Sequence, residues 1–132
     1  MTRRFGIDTS VLVRLLTGDP TADFAYCVRK LSTLVEEDGS EVFASNQVIG
    51  EAYIAVQHHY GVSKADARAG LLEVLRSGLV SPLNGHAVFS ALETSKSPGL
   101  FDRLIADEHS RAGLEILTLD RMMALLSDVL LL

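Results

Sequence analysis

The sequence predicts a single α/β domain, an open parallel sheet flanked by helices on both faces, and three observations carry that expectation. The chain has 132 residues, 48% of them hydrophobic, which is enough to bury one real core. Short apolar runs alternate with longer segments of helical period, and strands joined through helices pair in parallel by crossovers. No linker, repeat or low-complexity tract interrupts the chain, so residues 1–132 read as one domain.

Phe5 to Ile7 is a first strand ending at Asp8, after which Thr9 or Ser10 can cap a helix carrying Val11, Leu12, Leu15 and Leu16. Thr17-Gly18-Asp19-Pro20 stops it. From Thr21 to Glu37, Phe24, Val28, Leu31, Leu34 and Val35 recur at helical spacing, and Gly39 closes that helix. Val42 to Ala44 reads as a second, buried strand. Ser45 or Asn46 then caps a helix to about His59, with Gly61 beyond it, in which Glu51 is expected to share a face with Val48, Ala52 and Ala55. Ser63-Lys64-Ala65-Asp66 resembles a capping box with Asp in place of Glu, opening a helix through Leu71, Leu72 and Leu75 to Gly78.

Leu79 and Val80 form a candidate third strand before Pro82. Asn84 can cap a helix carrying Val88, Phe89 and Leu92, which breaks at Ser97-Pro98-Gly99. The next helix starts near Leu100 and places Asp102 in its first turn. Leu114 to Leu119 is a strand ending at Asp120, Arg121 to Leu126 a short helix, and Val129 to Leu132 a last strand.

Composition narrows the function. Seventeen acidic against 12 basic side chains give a net charge of -5, which argues against tight, sequence-blind binding along a nucleic-acid backbone. It leaves room for nucleic acid held at an acidic, metal-filled site. The single cysteine, Cys27, cannot form an internal disulfide and fits a reducing compartment. No apolar segment is long enough to span a bilayer, and Asp8 interrupts any signal-peptide core. A cytoplasmic protein is expected.

Four acids stand out: Asp8, Glu51, Asp102 and Asp120, in the settings FGIDTSVLV, NQVIGEAYIAV, GLFDRLIA and EILTLDR. A carboxylate beside apolar sequence is costly to bury unless something pairs with it. No matching set of Lys or Arg accompanies them, so a divalent cation is the natural counter-charge. Ligands in open α/β sheets sit at the carboxyl ends of the strands, where Asp8 and Asp120 are expected; Glu51 and Asp102 lie near the starts of helices and could converge on the same edge. Each acid also has a plainer explanation: Asp8 and Asp120 could be N-caps, and Asp102 a first-turn residue favoured by the helix dipole. Glu51, inside its helix, is the hardest to explain that way.

All-oxygen ligation with retained waters suits Mg²⁺ or Mn²⁺ better than zinc. The histidines fit poorly as ligands, because His58 and His59 are adjacent on a helix and point about 100° apart, while His86 and His109 have no partner at ligand spacing. No Gly-x-Ser-x-Gly elbow and no P-loop is present. Arg14, Arg103 and Arg121 lie near the acids in sequence, as candidates for phosphate contacts or as solvated surface charges.

The segments IDTSVLVRLLTGD, SNQVIGEAYIAV, FDRLIADEHSRAG and ILTLDR occur in the order found in PIN-domain ribonucleases. The chain resembles that family, and within it the VapC-type toxins of toxin–antitoxin pairs. The resemblance implies that Asp8, Glu51, Asp102 and Asp120 are the acidic residues of the site, that Mg²⁺ or Mn²⁺ binds there, and that the substrate is single-stranded or looped RNA. It further implies a homodimer and a cognate antitoxin. The chain departs from the family pattern at Gly99, where many relatives carry a further Asp, at Leu119, where an aromatic is usual, and at Ser10, where Asn is common. Two other functions compete: a PIN-like module that binds RNA or protein without cleaving, and a metal-dependent phosphatase acting on small phosphoesters. Absence of cleavage across a broad RNA panel would mark the first, and hydrolysis of simple phosphate esters the second.

Overall fold

A computed structural model describes residues 2–132. In chain order the elements are β1 (Arg4–Gly6), α1 (Thr9–Thr17), α2 (Thr21–Ser32) running into a π-helical turn (Thr33–Glu37), β2 (Glu41–Ala44), α3 (Asn46–Tyr60) and α4 (Lys64–Leu75). They continue with β3 (Ser81–Pro82), α5 (His86–Glu93), α6 (Leu100–Arg111), β4 (Ile116–Thr118), a 3₁₀ turn (Met123–Leu125) and β5 (Val129–Leu131).

All strand pairs are parallel, as the alternation of strands and helices requires. The single α/β domain with parallel strands is the class expected, and its ladders fall into two sheets rather than one. β2 lies between β1 and β3, with Phe5 opposite Val42 and Phe43 opposite Ser81, while β4 and β5 form a separate pair with Ile116 opposite Val129. Strands this short offer few ladder hydrogen bonds, so the helix they pack on decides where they sit. Ile116, Met123 and Val129 make their own apolar cluster against Ile105 and Ala106 of α6. The main core lies among β2 and the helices, where Leu12, Ile49, Leu71, Val80, Val88, Leu92 and Leu104 are fully buried.

The helix ends follow local chemistry. Ser45 and Ser63 accept from the backbone N–H of Val48 and Asp66, and Gly18 and Gly61 close α1 and α3 at φ of 65° and 63°, a region glycine enters without a Cβ penalty. Four local expectations need correcting. The cap of α1 is Asp8, the plainer role the sequence left open for it, rather than Thr9 or Ser10. Asn84 does not cap α5, which follows Gly85 with no side-chain cap. The third strand falls at Ser81–Pro82, leaving Val80 in the core. The segment after Asp120 makes only a 3₁₀ turn.

Candidate active site

Asp8 follows β1 and turns the chain into α1. Its Oδ1 accepts hydrogen bonds from Ser10 N (3.0 Å), Val11 N (3.3 Å) and Ser10 Oγ (2.5 Å). These donors, the Ser10 hydroxyl foremost and the Val11 N–H next, hold the carboxyl below the ordinary aspartate range. All of them converge on Oδ1, so Oδ2 takes no hydrogen bond from these donors.

Glu51 lies in the fourth position beyond Gln47 on α3, where side chains meet. Its Oε2 accepts from Thr9 Oγ1 at 2.7 Å and its Oε1 from Gln47 Nε2 at 3.0 Å. Thr9 first and Gln47 second lower its pKa. Thr9 therefore ties the turn that holds Asp8 to the helix that holds Glu51. The face of Glu51 is not the one expected. It is exposed, while Ile49, Gly50, Ala52, Tyr53 and Val56 point inward; α3 has small or apolar residues on nearly every side, so its sequence does not single out one face.

Asp102 occupies the first turn of α6 and is half-buried. Burial and then the facing charge of Asp120 push its carboxyl above the ordinary range. Asp120 itself caps the turn after β4, with Oδ1 accepting from Met122 N (2.8 Å) and Met123 N (3.3 Å), and Thr118 Oγ1 accepts from the Asp120 N–H at 3.0 Å. Two acidic pairings result: Asp8 is tied to Glu51 through Thr9, and the charge of Asp120 acts on Asp102. Among the described residues no three His, Cys, Asp or Glu side chains are gathered closely enough to enclose a metal ion. Nor is any of the four acids fully buried, so burial alone does not demand a counter-ion. Among them Asp102 has its carboxyl raised, by burial and by Asp120.

A polar link between helices was not read from the sequence. Asn46, almost fully buried, donates through Nδ2 to Leu104 O (2.9 Å) and Asp107 Oδ2 (3.0 Å). Arg111 pairs with Asp107 at 3.1 Å and reaches the carbonyl of Asn84. This link fixes α6 against α3, and so fixes Asp102 relative to Glu51. The Asp107–Arg111 and Gln47–Glu51 spacings were legible as helical pairs, but the long-range partner of Asn46 was not. Of the three arginines, Arg103 is committed to the carbonyls of Pro98 (2.8 Å) and Lys96 (3.3 Å), and Arg14 lies 3.6 Å from Asp23. Arg121 is exposed and makes no ion pair among the described residues.

Sequence comparison agrees with this architecture: the family model described as PIN domain matches residues 6–128. No curated protein and no solved structure matches the chain. No helix among the described residues is long and apolar enough to cross a membrane.

Proposed function

The chain belongs to the PIN-domain family, a nuclease-type fold, and from that premise we propose that it is a metal-dependent endoribonuclease, the toxin component of a type II toxin–antitoxin pair acting in the cytoplasm. Asp8, Glu51, Asp102 and Asp120 form its site. The observation that carries this reading is the Asp102–Asp120 pair. Two carboxylates contributed by separate elements lie near enough to repel, and the half-buried Asp102 is destabilised as an anion, first by burial and then by Asp120.

The donor set fits Mg²⁺ or Mn²⁺. Either ion prefers carboxylate oxygens, and Mg²⁺ commonly uses only one or two of them while keeping several waters, so a closed cage of three protein ligands is not required. Asp102 and Asp120 would hold the ion, and Asp8 and Glu51, tied together through Thr9, are the other two acids of the proposed site. When bound, the ion lowers the pKa of a water and neutralises charge on the phosphate.

The chain's own contribution is placement. Ser10 and the first N–H groups of α1 keep Asp8 ionised and fixed, and Thr9 and Gln47 do the same for Glu51. A water deprotonated beside these acids would attack phosphorus in line and displace the 3′ oxygen, leaving a 5′-phosphate on one fragment and a 3′-hydroxyl on the other. The last two strands and the residues just after them expose Leu117, Leu119, Leu130, Leu131 and Leu132, and exposed apolar side chains gathered in this way support a homodimer or an antitoxin contact.

Cleavage of a mixed single-stranded RNA panel tests the reading. Activity should require Mg²⁺ or Mn²⁺ and vanish in EDTA, and Asp8→Asn, Glu51→Gln and Asp102→Asn should each lower the rate by orders of magnitude. Undiminished cleavage in excess chelator, or wild-type rates in Asp8→Asn, would remove it.

A further inference from the structure

Phe101 immediately precedes Asp102 in the first turn of α6, and 36% of it is exposed. It is nevertheless held in place. A Cβ built on Gly50 would stand 2.9 Å from Phe101 Cε2, 3.0 Å from Cζ and 3.2 Å from Cδ2, so the ring lies directly on the backbone of α3. Gly50 is buried inside that helix, where glycine weakens the helix relative to alanine. The missing methyl is what admits the ring, one residue before Glu51.

The ring forms a wall of an open groove of about 500 Å³ whose other lining residues are Glu51, Ile54, Ala55, His58 and His59. They follow Glu51 along one side of α3 at helical spacing. The volume lies within the range of roughly 300–1,000 Å³ typical of small-ligand sites. Of the four acids Glu51 lines it, and Asp102 follows Phe101 in the chain. The remainder offers an aromatic face, an exposed isoleucine and two exposed imidazoles. With no Lys or Arg in its lining, the groove is not built for a phosphate. Its apolar part is also too short for the repeated anchors by which an amphipathic partner helix binds. A flat aromatic surface edged by hydrogen-bonding imidazoles suits an unstacked nucleobase.

We propose that this groove holds the base of a nucleotide adjoining the scissile phosphate, stacked on Phe101 and hydrogen-bonded at its edge by His58 or His59. The proposal rests on the ribonuclease reading above. It makes Phe101 a substrate-binding residue and Gly50 the positioning residue that seats it.

The test is fluorescence anisotropy with a short fluorescein-labelled single-stranded RNA, bound to Asp8→Asn protein in the presence of Mg²⁺. An abasic nucleotide is moved through the RNA one position at a time. One position should weaken binding by about tenfold, the scale of a lost base–aromatic stack. Adding Phe101→Leu should weaken binding of intact RNA similarly and make that position indifferent; Phe101→Trp should restore the sensitivity, and Gly50→Ala should resemble Phe101→Leu. Thermal unfolding confirms that each variant is folded, and cleavage is measured in parallel with Asp8 intact. RNA cleavage with binding insensitive to Phe101→Leu and to every abasic position overturns the subsite and leaves the nuclease standing. Neither binding nor cleavage by the wild type overturns both. Dissociation of a dimer by Phe101→Leu in sedimentation velocity, with RNA binding untouched, would assign the groove to a second copy and overturn the base subsite.

Discussion

Replacing Asp8 with Ala in the metal-free protein should lower its melting temperature, whereas replacing Asp102 with Asn should raise it. Asp8 caps α1 through Oδ1, which accepts from two backbone N–H groups and the Ser10 hydroxyl. Loss of such a cap costs about 1 kcal/mol. Unfolding entropy is about 2.1 cal/mol/K per residue, so for 132 residues that loss amounts to a fall of about 4 °C. Asp102 acts in the opposite sense. Its pKa is raised, first by burial and then by Asp120, so the native protein holds that proton more tightly than the unfolded chain does. Stability from this group is therefore present at acid pH, lost as pH rises through the interval between the ordinary and raised values, and absent at neutral pH. Asparagine keeps the shape and removes the charge.

Asp102 is only half-buried and its repulsion is screened, so the gain should be a few tenths to about 1 kcal/mol, no more than about 4 °C by the same conversion. Asp120→Asn, which keeps the cap on Met122 and Met123, should give a smaller rise because it removes the repulsion and leaves the Asp102 charge half-buried, and the two substitutions should not add, since either one removes their shared repulsion. Scanning fluorimetry in EDTA at low ionic strength measures the wild type, the three single variants and the Asp102→Asn/Asp120→Asn double variant. Mg²⁺ or Mn²⁺ should then stabilise the wild type by binding the native state, and stabilise Asp102→Asn much less. The reasoning fails if Asp102→Asn destabilises as much as Asp8→Ala and the metal leaves the wild type unchanged.

Thr9→Val should reduce RNA cleavage by roughly tenfold, the value of about one charge-assisted hydrogen bond, while leaving the melting temperature within a few degrees; a wild-type rate would show that Thr9 does not hold Glu51 in its working position. Asn46→Ala should destabilise the fold by about 1–3 kcal/mol, because Asp107 loses a buried partner, and denaturant unfolding measures it; a change below a few tenths would remove the Asn46 link as a support of α6. Acidification should destabilise the wild type more than Asp8→Ala, because stability from the lowered Asp8 carboxyl is present above its ordinary pKa and is lost as pH falls through the depressed one. Parallel acid-unfolding curves for the two proteins would contradict that.

The parts of this protein visible in its sequence are those encoded by neighbours along the chain. Ser45 and Ser63 sit one residue before helices that they cap, Gly18 and Gly61 sit where helices end, and parallel pairing follows from strands separated by helices. Asp8, Asp102 and Asp120 were legible as candidates because Asp8 and Asp120 follow apolar strands and Asp102 opens a helix, whereas Glu51 was picked for an apolar face that it does not share. Their partners were not. Thr9 reaches Glu51 across 42 positions and Asn46 reaches Asp107 across 61, distances at which no periodicity speaks. The split of the strands into two sheets has the same origin: three-residue strands carry too little pairing preference of their own, and Ile105 and Ala106 of α6 decide where β4 and β5 pack. Gly50 shows the limit most clearly. Within α3 its sequence signature is only a weakened helix, and its purpose becomes readable when Phe101, carried on a different helix, is found lying in the space where its Cβ would be. A glycine inside a helix without a turn or a positive φ is therefore best read as a question about a distant residue, and here the answer places an aromatic ring beside the acids.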